Sequence, residues 1–356
     1  MVLRIRLIKR EQESAVARIT VPVLSVISAL LFGWLFLFIY GAEAGETYLK
    51  MYHGALGTSY AFSETLVKAI PLMLAGLAVS LAFRMKLWNI GAEGQLYMGA
   101  FAASGIALGW GNQPAWILIT VMLLAGFIAG GLWGLITGVL RARWGVNETI
   151  TTLLLNYVAI LWVDSLVYGP WRDPQSLGFP LTPRFSMNAY LPTLGDSRVH
   201  IGLLIALLIA IIFYYLLNYT RWGYEMKVIG ESHLAARYAG INVPRNIMLV
   251  MLISGGIAGI AGMIEVTGIT HRLQSGISPG YGYTAIIVAW LGRLNPFAII
   301  VVAFLMGALL VGGFAAQSSG IPFSIVLILQ GSILFFLLAG EIFLKYRLKL
   351  SRRAAE

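Results

Sequence analysis

Apolar residues run through this chain in long unbroken stretches, and the polar residues gather between the stretches instead of alternating within them. That pattern has neither the period of two of a half-buried strand nor the single stripe of a soluble amphipathic helix. A hydrocarbon core of about 30 Å takes about 20 apolar residues per helix. The runs predict ten such helices, at 20–40, 64–83, 94–110, 115–140, 147–168, 199–219, 246–268, 281–292, 296–316 and 321–344. The fold class expected is an all-α integral membrane protein, one transmembrane domain over 1–356. It has a basic amino terminus at 1–19, a polar connection at 220–245 and a basic tail at 341–356. The opening MVLRIRLIKR precedes a long run without a small-residue cleavage site, which predicts a retained first helix and not a removed signal.

Composition agrees: 59% of the 356 residues are hydrophobic and 11% charged, more apolar surface than a soluble domain of this length buries. The net charge of +10 has a sided distribution. With the amino terminus inside, nineteen of the 25 Lys and Arg fall on inner segments. The outer segments hold Lys50, Lys68, Arg172, Arg184, Arg198 and Arg272. Both termini are therefore expected in the cytoplasm. The basic balance is explained by the anionic inner leaflet, without nucleic acid. No cysteine is present, and His53, His200, His233 and His271 have no ligand spacing, so no metal or thiol chemistry is expected.

Within the 220–245 connection, Glu231 to Gly240 holds good helix formers closed by a glycine suited to the left-handed position. Leu234, Ala235, Tyr238 and Ala239 fall on one face at i, i+3, i+4 spacing. Two uses fit such a helix: docking into a groove on another protein, or lying at the membrane interface anchored by Arg237 and Tyr238.

GESHLAARYAGINVPRN (230–246), followed by the span GGIAGIAGMIEV, resembles the coupling loop of permease subunits of bacterial ABC importers, in the branch serving simple sugars, nucleosides and branched-chain amino acids. KLWNIGAEGQLYMGAFAA (86–103) is similar to the signature of the nucleoside and simple-sugar permeases. VNETITTLLLNYVAI (146–160) resembles the same group. The resemblance covers roughly residues 60 to 345 and implies a channel subunit of the bacterial inner membrane. A separate ATPase would hold ATP and Mg, a second identical or related permease would complete the path, and an extracytoplasmic solute-binding protein would deliver the solute. Gly230 to Ile241 would dock in the ATPase groove. Glu231 and Arg237 would be polar contacts there, and Ala235, Ala236, Ala239 and Gly240 would allow close approach. The chain has no G-x-x-x-x-G-K-[ST] loop to cradle ATP phosphates, which suits that division of labour.

Polar residues at membrane depth are costly and mark cavities or partners. Trp88 to Gln95 interrupts the third span, with Gly91 and Gly94 permitting irregular backbone. Asn89, Glu93 and Gln95 are candidates for the solute path, although Glu93 reads equally as a helix-start carboxylate at the cytoplasmic surface. Asn147 is a candidate cap for the fifth span. Thr152 and Asn156 line one face of that span, as path residues or as interhelical hydrogen bonds. Glu265 with His271, Arg272 and Gln274 reads as an interfacial salt bridge near an exit loop, or as a contact for the binding protein. Residues 89–117 and 278–300 form a faint repeat, placing spans three and eight in opposite orientation within two inverted five-helix halves. Trp88, Tyr97, Tyr281 and Tyr283 are then candidate stacking partners for a base or sugar, or interfacial aromatics.

The prolines of 169–198 stiffen an outer loop suited to docking. Neutral path groups and no evident buried Lys or Arg predict an uncharged, polyhydroxylated solute: nucleosides first, simple sugars second, amino acids third. An ion-coupled secondary transporter using Glu93 or Glu265 is the alternative. A membrane-embedded enzyme is disfavoured, because no catalytic set stands at usable spacing.

Overall fold

The computed structural model describes residues 3–9 and 15–352, with side-chain placement for 20–340. The basic termini at 1–19 and 341–356 therefore lie outside the residues whose side chains are described. The chain divides into two units, 1–54 with 312–356, and 55–311.

In the first unit, α1 (Ala15–Tyr40) packs along α13 (Ser324–Lys345). Small residues set the approach, with Gly340 against Val21 and Ser25, and Gly33 against Leu329. The Ser25 hydroxyl donates to the carbonyls of Val21 and Phe336. A helix absent from the sequence reading, α2 (Ala44–Leu56), follows α1, and its Tyr48 donates to the Leu30 carbonyl at 2.7 Å. β1 (Leu3–Lys9) and β2 (Tyr346–Arg352) pair antiparallel, from Leu3 opposite Arg352 to Lys9 opposite Tyr346. This ribbon is an addition to the all-helical expectation.

The second unit holds α3 (Ser59–Arg84), α4 (Ala92–Gly109), α5 (Ala115–Trp144), α6 (Glu148–Tyr168), α7 (Gly202–Tyr219), α8 (Arg221–Glu231), α9 (His233–Tyr238), α10 (Val243–Glu265) and α11 (Tyr281–Leu291). It also holds most of α12 (Pro296–Gln317). α10 is its axis. Gly126, Gly130, Gly134 and Gly138 form a stripe on α5 that receives the backbone of α10 around Gly255 and Gly259. On another side Gly99 of α4 abuts Gly259, and Gly262 abuts Leu96. Without a hydrophobic drive between helices in lipid, such close backbone contact supplies the packing energy. α3 closes the axis and is buried without interruption from 69 to 83. α5, α6 and α7 turn Leu124, Ile128, Leu154, Leu161, Leu208 and Ile211 outward, as lipid-facing helices do.

Seven helices among the described residues are long and apolar enough to cross a membrane: Thr20–Tyr40, Ser59–Arg84, Ala115–Trp144, Glu148–Tyr168, Gly202–Tyr219, Val243–Thr270 and Pro296–Gln317. Each coincides with a predicted span. The remaining predicted spans fall on α4, on the 11-residue α11 and on the apolar helix 324–340. The molecule is a multi-pass helical membrane protein.

Candidate functional site

The third span does not begin as a simple helix. After α3 ends, residues 85–91 run irregularly to α4, and 271–280 return in the same way to α11, so two helix amino termini meet inside the bundle. Gly282 lies against the backbone of Ala92 and Glu93, an approach that any side chain at 282 would block. Each amino terminus carries unpaired amides and a partial positive charge. Glu93, 2% exposed, sits in the first turn of α4, and its Oε2 accepts from the Gly282 amide of α11 at 2.6 Å. One carboxylate thus serves two positive helix ends. It is a helix-start carboxylate as expected, but it is buried at this junction and not at a surface.

The remaining polar atoms are satisfied in turn. Asn156 Oδ1 accepts from the Gly94 amide at 2.8 Å, while its Nδ2 donates to the Ile90 carbonyl and the Tyr283 hydroxyl. Asn89 and Gln95 exchange side-chain hydrogen bonds, and Asn89 Nδ2 also donates to Ser254 Oγ at 2.9 Å. Thr152 Oγ1 accepts from the Ile90 amide, and Ser278 Oγ from the amides of Gly280 and Tyr281. Irregular backbone at membrane depth requires such internal satisfaction. Asn147 caps α6, accepting from the Thr149 amide at 2.9 Å. Glu148 accepts from the Trp88 amide and pairs with Arg141. The structure therefore gathers Asn89, Glu93, Gln95, Thr152, Asn156 and Tyr283 into one clasp. Tyr97 and Tyr281 are buried, leaving Trp88 and Tyr283 as the partly exposed rings of the four aromatic candidates.

Glu265 does not join His271, Arg272 and Gln274. It faces Lys68 of α3, with Nζ to Oε1 at 3.5 Å. Lys68 lies nine residues into α3, roughly 14 Å along its axis, so it belongs to a span and not to an outer segment. This half-buried cation, 22% exposed, reaches a carboxylate inside the bundle, which the reading of neutral interior groups did not include. A lysine among apolar residues was the available signal. His271 instead stacks on Tyr190 with ring centres 3.8 Å apart, and its Nδ1 lies 3.0 Å from the Thr267 carbonyl. The proline-bearing loop is zipped to this segment: the amides of Thr182, Phe185 and Leu191 donate to the carbonyls of Leu273, His271 and Thr267. Burial, with a smaller contribution from His271, lowers the His200 pKa to about 4.

At the opposite end, α8 and α9 connect α7 to α10. The helix predicted from Glu231 to Gly240 begins at His233 as α9, where the Ser232 hydroxyl caps it by accepting from the Ala235 amide, and a separate α8 precedes it. Gly240 takes the left-handed conformation at φ 73°. Gly230 packs on the Arg84 backbone and Ala236 is fully buried, so these two form the base of the α9 turn. Glu231, Ala235, Arg237, Ala239 and Gly240 are exposed, with Leu234 at 65% and Tyr238 at 86%. The base is braced by Trp222 Nε1 donating to Asn246 Oδ1 at 2.7 Å and Asn246 Nδ2 donating to Glu225 at 3.2 Å.

The fold and the junction together describe a multi-pass helical membrane protein with a polar clasp where two helix amino termini meet. The chain belongs to the family described as branched-chain amino acid transport system / permease component, which matches residues 61–338. It is 37% identical to a glucose ABC transporter permease protein of Haloferax volcanii, over 92% of this chain and 88% of that one. It is 35% identical to a guanosine ABC transporter permease protein of Bacillus subtilis, over 90% and 93%. With a nucleoside ABC transporter permease protein of Lactococcus lactis it shares 28% identity over 90% of each. A solved structure of PsaBC from Streptococcus pneumoniae aligns at TM-score 0.46 and 13% identity, over 82% of this chain and 94% of that one, too distant to bear on the site. As a permease subunit the chain is not itself an enzyme.

Proposed function

We propose that this chain is the membrane subunit of an ABC importer for nucleosides, driven by ATP and Mg held on a separate ATPase. The observation that carries the reading is the pairing of whole-length similarity to guanosine and nucleoside permeases with a clasp of neutral hydrogen-bonding groups at the helix junction. We infer ten spans in two inverted five-helix halves, with both termini and the α8–α9 connection in the cytoplasm. The opposed amino termini of α4 and α11 support that symmetry, being related as two half-helices meeting at a midplane are. Exposed Leu234 and Tyr238, on a base fixed by Gly230 and Ala236, suit a groove on the ATPase. The zipped outer loop would receive the solute-binding protein, and a second permease, identical or related, would complete the path. Transport would proceed when ATPase closure moves α9 and the clasp opens.

A second reading, simple-sugar import, is favoured by the 37% identity to the glucose permease. Ion coupling is weakened, because Glu93 is engaged by helix ends and Glu265 by Lys68. The deciding measurement is uptake of labelled uridine, guanosine, glucose and leucine by cells with and without the gene. Loss of nucleoside uptake is expected; loss of leucine uptake alone would overturn the assignment.

A further inference from the structure

Three polar groups that the clasp does not use meet on its other side. Lys68 Nζ of α3 stands 3.5 Å from Glu265 Oε1 of α10 and 5.9 Å from the centre of the Tyr281 ring of α11. Glu265 is 1% exposed and Tyr281 0%, yet Glu265 Oε2 and the Tyr281 hydroxyl have no partner among the described residues. Natural structures rarely leave such atoms unmatched, because each forfeits its hydration without return. Ionisable side chains inside a membrane bundle point to a pathway or ligand before they point to packing. An ion pair alone would have no use for the phenol, and phenylalanine would fill the same space.

The chemistry of the set is specific. The ammonium has three donors, of which Glu265 takes one; the carboxylate retains a free acceptor oxygen; the phenol both donates and accepts. Two neighbouring hydroxyls would match it, one donating to Glu265 Oε2 and each accepting from Lys68 or Tyr281. Access is also marked. Lys68 keeps 22% of its side chain exposed, whereas every α3 residue from 69 to 83 is buried, so the reachable surface of α3 ends at this lysine. One turn towards the helix start, Glu64 pairs with Arg198 at 2.9 Å, so the part-exposed stretch of α3 that leads to Lys68 is itself polar.

We propose that Lys68, Glu265 and Tyr281 form a subsite on the solute's route that recognises a vicinal diol, the 2′,3′-hydroxyls of a ribose or the equivalent pair of a sugar. The subsite rests on the importer reading above and adds the part of the solute that the membrane subunit selects. It is also placed to report occupancy. Tyr281 opens α11, the next amide is given to Glu93, and the hydroxyl of Tyr283 accepts from Asn156, so a ligand on the phenol acts one peptide away from the clasp.

The test uses the permease reconstituted with its ATPase and binding protein in proteoliposomes. kcat/KM is measured for uridine and for 2′,3′-dideoxyuridine in wild type, Tyr281→Phe and Glu265→Gln. The binding protein is common to all three, so its own preference cancels when the ratios are compared. Tyr281→Phe should lower the preference for uridine about fivefold, the equivalent of one neutral hydrogen bond, with dideoxyuridine transport unchanged. Glu265→Gln should lower it at least as much. Because the Tyr281 hydroxyl has no hydrogen-bond partner among the described residues, a purely structural phenol makes Tyr281→Phe neutral or stabilising, with the preference intact. Normal uridine uptake with an unchanged ratio in that variant overturns the subsite alone. A wild type that carries glucose and not uridine is compared using 2,3-dideoxyglucose, which has no vicinal diol, in place of the dideoxynucleoside. If it carries neither nucleoside nor sugar, the importer reading fails and the subsite with it.

Discussion

Glu93 shows how much a single side chain can do at membrane depth. An uncompensated carboxylate there is costly, yet two helix amino termini supply the missing positive charge without a basic residue. His200 shows the opposite economy. It is buried beside Gly202 and Gly268, which leave room for its ring, and its Nδ1 accepts from the Gly202 amide at 3.2 Å. Burial holds the imidazole neutral down to about pH 4, against an ordinary value of 6.5, and the neighbouring His271 is lowered in the same direction, chiefly by burial. A base with a depressed folded-state pKa contributes stability that is complete above about pH 6.5 and is lost as the pH falls toward 4. Hydrogen exchange of the 180–200 and 267–275 backbone should therefore accelerate between pH 6.5 and 4.5, and His200→Gln should flatten that dependence. Exchange in wild type that is insensitive to pH, after correction for intrinsic rates, would contradict the burial argument.

At the scale of the element, α9 is too short to be a stable helix by itself. It is held by the Ser232 cap, the Gly240 turn and Ala236 pressed into the protein. The two faces of this one turn therefore predict different failures. Tyr238→Ala removes only exposed surface, so the protein should insert and melt normally while ATP hydrolysis proceeds with at least tenfold less uptake. Ala236→Arg forces a cation into a closed contact and should lower the melting temperature by several degrees before coupling is considered. Thermal melts with ATPase and uptake assays separate the two. A Tyr238→Ala complex with full coupling would remove α9 from the docking surface. The glycine stripes of α5 and α10 follow the same logic of close contact, since a side chain at Gly259 would meet the Gly126 carbonyl and keep the helices apart.

For the whole molecule, the division into membrane subunit and separate motor has a direct consequence. Purified permease in liposomes should show no ATP-dependent uptake, and adding the ATPase and loaded binding protein should restore it, with two permease subunits in each active complex by mass measurement. Accumulation by the isolated chain under a proton or sodium gradient alone would instead establish ion coupling.

Much of this was legible in the sequence because a membrane restricts the alternatives. A run of about 20 apolar residues has few stable conformations in lipid other than a helix, so every predicted span coincides with a helix, and Asn147 was readable as a cap. Short-range chemistry also marked the break near Trp88–Gly91 and the glycine close to α9, although Glu93, Gly94 and Gln95, expected within the interruption, lie in the first turns of α4. What the sequence could not determine is which distant groups share a space. Only the tertiary structure brings Gly282 to Glu93, 189 positions away, and Lys68 to Glu265, because those contacts depend on helix order and on glycine-set approach distances that have no period along the chain. The same holds for burial within a turn. Ala235, Ala236 and Ala239 are alike as residues, and it is tertiary packing that hides Ala236 and leaves the other two exposed. Local physics decided where the helices are, and the long-range fit of their surfaces decided what the polar residues among them touch.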